Sequence, residues 1–256
     1  MNHVMNQLSS QWTPSRQRGV TLIELMIAVT VAFFLIGGLL LMVQSTRNAF
    51  TTQNQLAQLQ DNERLVMSFM AEIIESAGYF PSPNNNTNTA VMPVAGVFAS
   101  PGQAVYGTYA AAAPGDKVSI RYGAGLNDNI FNCRGTTNTT VANYDTFVNT
   151  FWVNNAVPAN PVLTCTFSSN TIAATDVPLV NGVKSLAILY GIKRSAVSTG
   201  SCADTYLNAS QMLATDWNNV CSIRLTASFI NPLNPTGALI PLTRVVAVMN
   251  WAGVNS

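Results

Sequence analysis

The chain of 256 residues has 12 basic and 11 acidic side chains, a formal net charge of +1, and only 9% charged residues. This length allows one domain of ordinary size together with a membrane anchor. A nearly balanced charge lacks the basic excess that attracts nucleic acid, so direct nucleic-acid binding is not expected.

The N-terminal region places two arginines before a long apolar segment. Arg16 and Arg18 precede Gly19, and the run from Leu25 to Val43 contains one polar residue, Thr30. At about 1.5 Å per residue this run nearly spans a hydrocarbon core of about 30 Å. Because the basic residues come first, the positive-inside rule places the N-terminus in the cytoplasm. A secretory signal peptide is not expected, since no cleavage site follows the apolar run.

One acidic residue, Glu24, lies at the edge of the apolar segment. A charge at mid-bilayer costs about 2.5–3.5 kcal/mol on insertion scales, and less near the edge, so this carboxylate calls for a partner. If the chain is cut after Gly19, Val20 gains a charged amine, and Glu24 lies four residues later on the same helical face. The amine of a neighbouring copy would serve equally well. The alternative is an uncleaved signal anchor.

The segment from Gly19 through Ala28 resembles a known processing junction. Its sequence Gly-Val-Thr-Leu-Ile-Glu-Leu-Met-Ile-Ala is similar to the class III leader junction of type IV pilins and type II secretion pseudopilins. The resemblance implies that residues 1–19 are a cleaved prepilin leader and that a prepilin peptidase methylates the new amine of Val20. It also implies that Glu24 guides docking into a helical filament. The family usually has phenylalanine where this chain has Val20.

Beyond residue 43 the apolar pattern becomes amphipathic. Apolar residues recur at spacings of three, four and seven, which is one face of a helix: Ala49, Leu56, Leu59, Val66, Met70, Ile73 and Ala77, widened by Phe69 and Ile74. Gly78 is expected to end the helix, because Pro81 and Pro83 follow. We therefore predict one helix with a transmembrane part over residues 20–43 and an amphipathic part over residues 44–78.

Residues 79–256 are predicted to form a globular β-rich domain. After an Asn- and Thr-rich loop over residues 84–89, the periodicity changes to two. The predicted strands are Val118–Tyr122, Phe147–Val153, Leu163–Phe167, Val183–Ile192, Cys221–Phe229 and Arg244–Trp251, with a short helix over Ser210–Trp217 capped by Asn208 or Ser210. Strands without alternating helices favour an antiparallel sheet covered by the amphipathic helix. The predicted fold class is α+β.

Four cysteines, Cys133, Cys165, Cys202 and Cys221, lie on the outward side of the predicted span. Disulfide formation is expected there, and four cysteines allow three connectivities. The two local pairings, Cys133 with Cys165 and Cys202 with Cys221, are favoured. A metal site is the alternative, but it would lack a C-x-x-C pair, and no histidine follows the leader.

The residue inventory does not indicate an enzyme. Without histidine after residue 19, neither a Ser/His/Asp nor a Cys/His arrangement can form. Six aspartates follow the helix and are expected in surface turns: Asp116, Asp128, Asp145, Asp176, Asp204 and Asp216. Asn127-Asp128-Asn129 offers oxygen ligands but lacks the later glutamate of a calcium loop. No metal or cofactor is expected.

Further segments resemble PilW-type minor pilins along the mature chain. They are Asn132-Cys133-Arg134-Gly135, Leu163-Thr164-Cys165, Pro178-Leu179-Val180-Asn181-Gly182-Val183, Leu189-Tyr190-Gly191, Trp217-Asn218-Asn219-Val220 and Val245-Val246-Ala247-Val248-Met249-Asn250. Many relatives have arginine in place of Met249. Tyr190, Gly191 and Trp217 are expected to be turn and core residues rather than binding residues.

The resemblance implies the pilin fold and a structural role. Such a subunit joins other minor and major pilins, primes pilus assembly, and sits at or near the filament tip, supporting adhesion, twitching motility or DNA uptake. Further implied partners are the inner-membrane assembly platform and a tip adhesin. The expected location is the inner membrane, single-pass with a cytoplasmic N-terminus, and after assembly the periplasm or extracellular pilus.

Three alternatives remain open on the sequence. The first is a minor pseudopilin of a type II secretion system. The second is a pilus-borne module that binds a surface ligand. The third is an anchored periplasmic enzyme.

Overall fold

The computed structural model describes residues 19–194 and 202–248. Most of the leader, including Arg16 and Arg18, and the predicted strand residues after Val248, including Met249, lie outside these ranges. The chain divides into two compact units, with the boundary between Gln53 and Asn54. The predicted boundaries after residues 43 and 78 do not coincide with this division and stay predictions.

Helix α1, Leu22–Glu75, confirms the long N-terminal helix. It begins two residues later than predicted, and it is followed by three turn residues, of which Gly78 is the last. Gly78 has a φ of +77°, a left-handed conformation that costs glycine little, and its N–H donates to the carbonyl of Arg121 at 2.9 Å. The helix is uninterrupted at Gly37 and Gly38.

The second half of α1 contributes to the core of the C-terminal unit. Its buried residues are Val66, Met67, Met70, Ala71, Ile73 and Ile74. The predicted apolar face is confirmed from Val66 onward, whereas Leu56 is still 38% exposed. The ring of Phe69 packs edge-on against Phe151, with centroids 6.5 Å apart. Burial of this helical face therefore begins at Val66, within the C-terminal third of α1, and continues nearly to the end of the helix.

The C-terminal unit contains two antiparallel sheets instead of the one predicted. The first has five strands in sequential order: β1 (Val105–Thr108), β2 (Lys117–Gly125), β3 (Tyr144–Asn154), β4 (Val162–Ser168) and β5 (Thr175–Asn181). A short helix α2, Asn88–Val91, lies in the segment before β1 where the sequence predicts only a loop.

The second sheet has the order β7-β6-β8-β9. Its strands are β6 (Val183–Ile192), β7 (Thr205–Leu207), β8 (Val220–Phe229) and β9 (Ile240–Ala247). The last strand starts four residues earlier than the predicted strand at Arg244. Buried residues of both sheets and of α1 form one hydrophobic cluster, so the two sheets share a core.

The predicted helix over Ser210–Trp217 is wrong. Two 3-10 turns, Ala209–Gln211 and Asp216–Asn219, lie in its place. Asn208, one of the two predicted capping residues, caps the first turn through a capping box with Gln211. The chain then turns extended at Met212, and the Leu213 N–H donates to the Asp216 carboxylate at 2.8 Å instead of to a helical carbonyl.

Both disulfides have the favoured pairing, Cys133 with Cys165 and Cys202 with Cys221. The first attaches the loop after β2 to β4, and the second attaches the segment before β7 to β8. Their sequence separations are 32 and 19 residues. A disulfide that closes a loop of this size stabilises the fold by about 3–4 kcal/mol, because it restricts the unfolded chain.

A close contact between Gly107 and Tyr190 provides a test of the shared core. A Cβ atom on Gly107 would overlap the hydroxyl oxygen of the fully buried Tyr190. We expect Gly107→Ala to lower the free energy of unfolding by about 1–3 kcal/mol, because a buried contact of this kind cannot accept added volume. Urea denaturation of the full chain in detergent measures this.

Tyr190→Phe supplies the matched comparison. The Tyr190 hydroxyl has no hydrogen-bond partner among the described residues, so its removal should leave stability unchanged or raise it. In the Gly107→Ala background the same change should recover part of the loss. Strictly additive effects of the two substitutions would contradict the contact.

Candidate functional site

The predicted processing junction lies in front of α1. Gly19, Val20 and Thr21 precede the first helical residue and are exposed. A Cβ atom placed on Gly19 would meet nothing within 4 Å. The peptide bond after Gly19 is therefore accessible to an enzyme in this structure, while cleavage itself stays a prediction.

Thr21 precedes α1 and caps its first turn, in which Glu24 lies. The Glu24 N–H points to the Thr21 carbonyl at 3.1 Å and to its hydroxyl at 3.4 Å. An acidic side chain in the first turn is also favoured by the helix dipole. The Glu24 carboxylate is thus favourably placed at the start of the helix, besides its predicted docking role. The Thr-x-x-Glu capping signature before an apolar run could have revealed it from the sequence.

The expected placement of Val20 and Glu24 on one helical face is not found in the unprocessed chain. It requires a helix that begins at residue 20, whereas α1 begins at Leu22. Before cleavage the nitrogen of Val20 belongs to a peptide bond and carries no charge. Pairing of a processed amine with Glu24, in the same copy or a neighbouring one, stays a prediction.

The first half of α1 is apolar and exposed on every side. Residues 22–43 are all exposed, and α1 is long and apolar enough to cross a membrane. At about 1.5 Å per residue they extend about 33 Å, close to a hydrocarbon thickness of about 30 Å. The hydroxyl of Thr30 donates to the Met26 carbonyl at 2.8 Å. The one polar residue between Leu25 and Val43 is therefore satisfied within its own helix.

Three of the six aspartates expected in surface turns are buried, so that expectation is wrong for them. Asp116, Asp145 and Asp216 are 4%, 2% and 7% exposed. The carboxylate of Asp116 accepts hydrogen bonds from the N–H groups of Ala110 at 2.9 Å and Ile188 at 2.7 Å. This aspartate therefore joins the segment before β2 to β6 in the other sheet.

The carboxylates of the other two buried aspartates accept hydrogen bonds from backbone turns. Asp145 accepts hydrogen bonds from the N–H of Asn170 and the hydroxyl of Thr171. Asp216 accepts hydrogen bonds from the Leu213 N–H and pairs with Arg194. Burial alone would raise the pKa of the Asp216 carboxyl, but the hydrogen bonds from Arg194 and Leu213 and the charge of Arg194 lower it below its ordinary value.

In the segment considered as a calcium loop, Asn127-Asp128-Asn129, the carboxylate binds backbone groups of the same turn. Asp128 accepts hydrogen bonds from the N–H groups of Gly125 and Ile130. Asn127 and Asn129 have φ values of +57° and +61°, which asparagine tolerates in tight turns. Within the described ranges, no group of three or more His, Cys, Asp or Glu side chains could hold a metal ion.

The residues expected to be structural are in the core. The rings of Tyr190 and Trp217 pack edge-on with centroids 4.9 Å apart. A Cβ atom on Gly191 would overlap the Ser222 hydroxyl, so this position requires glycine. The expectation of turn and core roles for Tyr190, Gly191 and Trp217 is confirmed.

A groove on the outer face of β2 and β3 was not predicted. The groove has a volume of about 580 Å³ and lies between these strands and the loop over residues 93–98. Hydroxyl groups of Ser119, Thr146 and Thr150 lie on its floor. Alternation along the two strands predicts which residues face outward, but not that a distant loop covers them.

Arg121 fixes the loop beside this groove. Its guanidinium donates hydrogen bonds to the carbonyls of Met92, Pro93 and Gln103, on both sides of the loop. The ring of Phe98, at the end of the loop, lies 4.2 Å from the guanidinium carbon. Burial lowers the pKa of Arg121 to about 10, so the side chain is charged at neutral pH.

Comparison with known families gives two matches. A model described as prokaryotic N-terminal methylation motif matches residues 14–40, and the model Type IV Pilus-assembly protein W (PilW) matches residues 150–229. The first match covers the junction at Gly19 and the apolar half of α1. The second begins within the second half of β3 and continues to the end of β8. Neither a curated protein nor a solved structure matches the chain significantly.

The ion pair of the buried Asp216 with the partly exposed Arg194 predicts a pH-dependent contribution to stability. Because the folded-state pKa of Asp216 is depressed, its contribution is present above the unfolded-state pKa of about 3.9 and is lost as the pH falls through the folded-state value. Asp216→Asn should lower the free energy of unfolding at pH 7 by about 1–2 kcal/mol, since Arg194 is partly exposed.

Urea denaturation at pH 7 and pH 3 checks this expectation. The difference between Asp216→Asn and the native chain should shrink at pH 3. Asp61→Asn, at an exposed position of α1, is the control and should change little at either pH. An equal loss at both pH values for Asp216→Asn would contradict the charge-based account.

Proposed function

We propose that this chain, which is a type IV pilin-like protein, acts as a minor pilin of PilW type that primes pilus assembly. The observation that carries the proposal is the combination of the two family matches on one chain. A methylation motif covers a junction followed by an exposed apolar helix, and a PilW match covers residues 150–229 of the β-rich unit. The role is that of a structural subunit, not of an enzyme.

The first step of the proposal is processing at the membrane. The apolar half of α1 anchors the precursor in the inner membrane, with the basic leader in the cytoplasm. A prepilin peptidase cuts after Gly19 and methylates the amine of Val20. Removal of the leader also takes away Arg16 and Arg18, so the anchor loses the charges that hold its N-terminus at the cytoplasmic surface.

The second step is transfer of the apolar helix from lipid to other subunits. Side chains such as Phe34, Leu41 and Met42 are 69–79% exposed, and they need an apolar environment in either location. The Glu24 carboxylate then forms an ion pair with the charged amine of its own chain or of a neighbouring copy. The partners are other minor and major pilins, the assembly platform, and a tip adhesin.

In the assembled pilus we place this subunit at or near the filament tip. A priming complex begins the filament, so its members remain at the end that leaves the membrane first. From this position the subunit would support adhesion, twitching motility or DNA uptake. Its location would change from the inner membrane to the periplasm and the extracellular pilus.

A minor pseudopilin of a type II secretion system is the closest rival, because it shares the junction and the anchor. Deletion of the gene separates the two functions. We expect piliation to fail and exoprotein secretion to continue. Loss of secretion with normal pili would favour the pseudopilin.

Substitution of Gly19 tests the processing step. Gly19→Val should leave a membrane-bound precursor that is heavier than the native mature chain by the mass of residues 1–19, because the peptidase of this family cuts after glycine. Immunoblotting of membrane fractions measures this. Gly37→Ala, a glycine change inside the same helix, is the control and should be processed normally. Normal processing of Gly19→Val would refute the leader assignment.

Substitution of Glu24 tests the docking charge and separates it from helix capping. Glu24→Gln keeps a side chain that can complete a capping box but removes the charge. It should insert into the membrane yet enter sheared filaments at least about tenfold less, as expected for loss of an ion pair in an apolar environment. Asp61→Ala is the control acid on α1. Incorporation of Glu24→Gln at the native level would contradict the docking role of the Glu24 charge.

A further inference from the structure

We propose that the groove on the outer face of β2 and β3 binds an oligosaccharide. The groove is formed by the C-terminal unit alone, so the inference does not depend on processing or on filament entry. Its volume of about 580 Å³ is within the usual range of about 300–1,000 Å³ for ligand sites. Its chemistry points to the class of ligand.

The floor of the groove offers hydroxyl groups at close spacing. Ser119 and Thr150 face each other across β2 and β3, with their hydroxyl oxygens 2.8 Å apart. In such a pair one hydroxyl donates to the other, and the second keeps its proton available for a ligand. The Thr146 hydroxyl donates to the Val91 carbonyl at 2.8 Å and accepts from the Asn170 amide at 3.3 Å, which leaves one lone pair for a ligand. Sugar hydroxyls donate and accept in the same way.

The sides of the groove offer apolar and aromatic surface. Tyr106 and Tyr144 line it from β1 and β3, and Val97, at the exposed tip of the covering loop, is 49% exposed. The Tyr106 ring is held by Trp217, with centroids 5.1 Å apart. Sugar rings present C–H groups on their faces, which pack against such side chains while the hydroxyls meet the floor.

The groove is also preorganised. Arg121 holds both sides of the covering loop through backbone carbonyls, and the loop carries a β-bridge between Ala95 and Phe98. A loop that is fixed before binding does not lose further conformational freedom when a ligand enters. Weakly binding ligands such as short saccharides benefit most from this saving.

A peptide fits this groove less well. Peptides commonly bind to sheets by adding a strand at an open edge. Both β2 and β3 are interior strands, since β2 pairs with β1 and β3, and β3 pairs with β2 and β4. Their backbone groups are therefore already used within the sheet.

A nucleic acid fits less well for electrostatic reasons. The charged side chains that line the groove are Lys117 and Arg121. Arg121 directs four hydrogen bonds to backbone carbonyls, and the Lys117 ammonium lies 5.0 Å from the centre of the Trp152 ring. Phosphate backbones are bound by several available cations, whereas this groove provides mainly hydroxyl and amide groups.

The test uses the full chain in detergent and an array of neutral and acidic oligosaccharides, followed by calorimetric titration of the saccharides that bind. The double variant Ser119→Ala/Thr150→Val removes the hydroxyl pair without orphaning either member. It should weaken binding by at least about tenfold. The control Thr226→Val/Thr243→Val removes a similar pair, 2.9 Å apart, between β8 and β9 and should bind as the native chain does.

Asn170→Ala gives a second variant at an exposed position of the groove rim. It should weaken binding by about two- to tenfold. It therefore tests the groove independently if the double variant does not fold. The proposal is overturned if no saccharide binds, if both groove variants bind like the native chain, or if the control weakens binding equally. Binding of pilin-derived peptides in place of saccharides would also overturn it. None of these outcomes bears on pilus assembly.

Discussion

The apolar surface of α1 between Leu22 and Val43 is the constraint on which the rest of this protein depends. These side chains are exposed in the described chain, and apolar surface in water costs about 25 cal/mol per Å². They therefore require lipid or the helices of other subunits. Thr30 adds no unsatisfied polar group, because its hydroxyl is bound within the helix. The Glu24 N–H is bound by the capping residue Thr21, and the Glu24 carboxylate remains the one charge between Leu22 and Val43 that an apolar environment must accommodate.

The C-terminal unit meets a different requirement, which is to fold as a small β-rich body with few charges. Few ion pairs can form in a unit with so few charged residues. Two disulfides and the hydrogen bonds of three buried aspartates stabilise it instead. Asp116 shows how this works, since one carboxylate satisfies N–H groups on both sides of the junction between the sheets. With the inner faces committed to the core, the outer face of β2 and β3 is free to form a groove.

Sequence patterns predicted α1, six of the nine strands found among the described residues and the disulfide pairing, because each depends on local periodicity or on short separations. They missed β1, β5 and β7, which are all edge strands. An edge strand needs less apolar alternation, and β5 even contains Pro178, which a central strand would exclude. The burial of Asp116 and the groove beside Arg121 depend on segments far apart in the chain. Because aspartate is usually exposed, residue type alone predicted that Asp116 would lie at the surface.

Intact-mass spectrometry of the native chain, isolated from membranes and from sheared pili, tests the central claim most directly. A chain that starts at Val20 and carries one added methyl group on its amine is the predicted result. It would join the exposed apolar helix, the junction at Gly19 and the carboxylate of Glu24 in one assembly mechanism. A chain from both preparations that still starts at Met1 would contradict the account and leave a membrane-tethered β-rich protein.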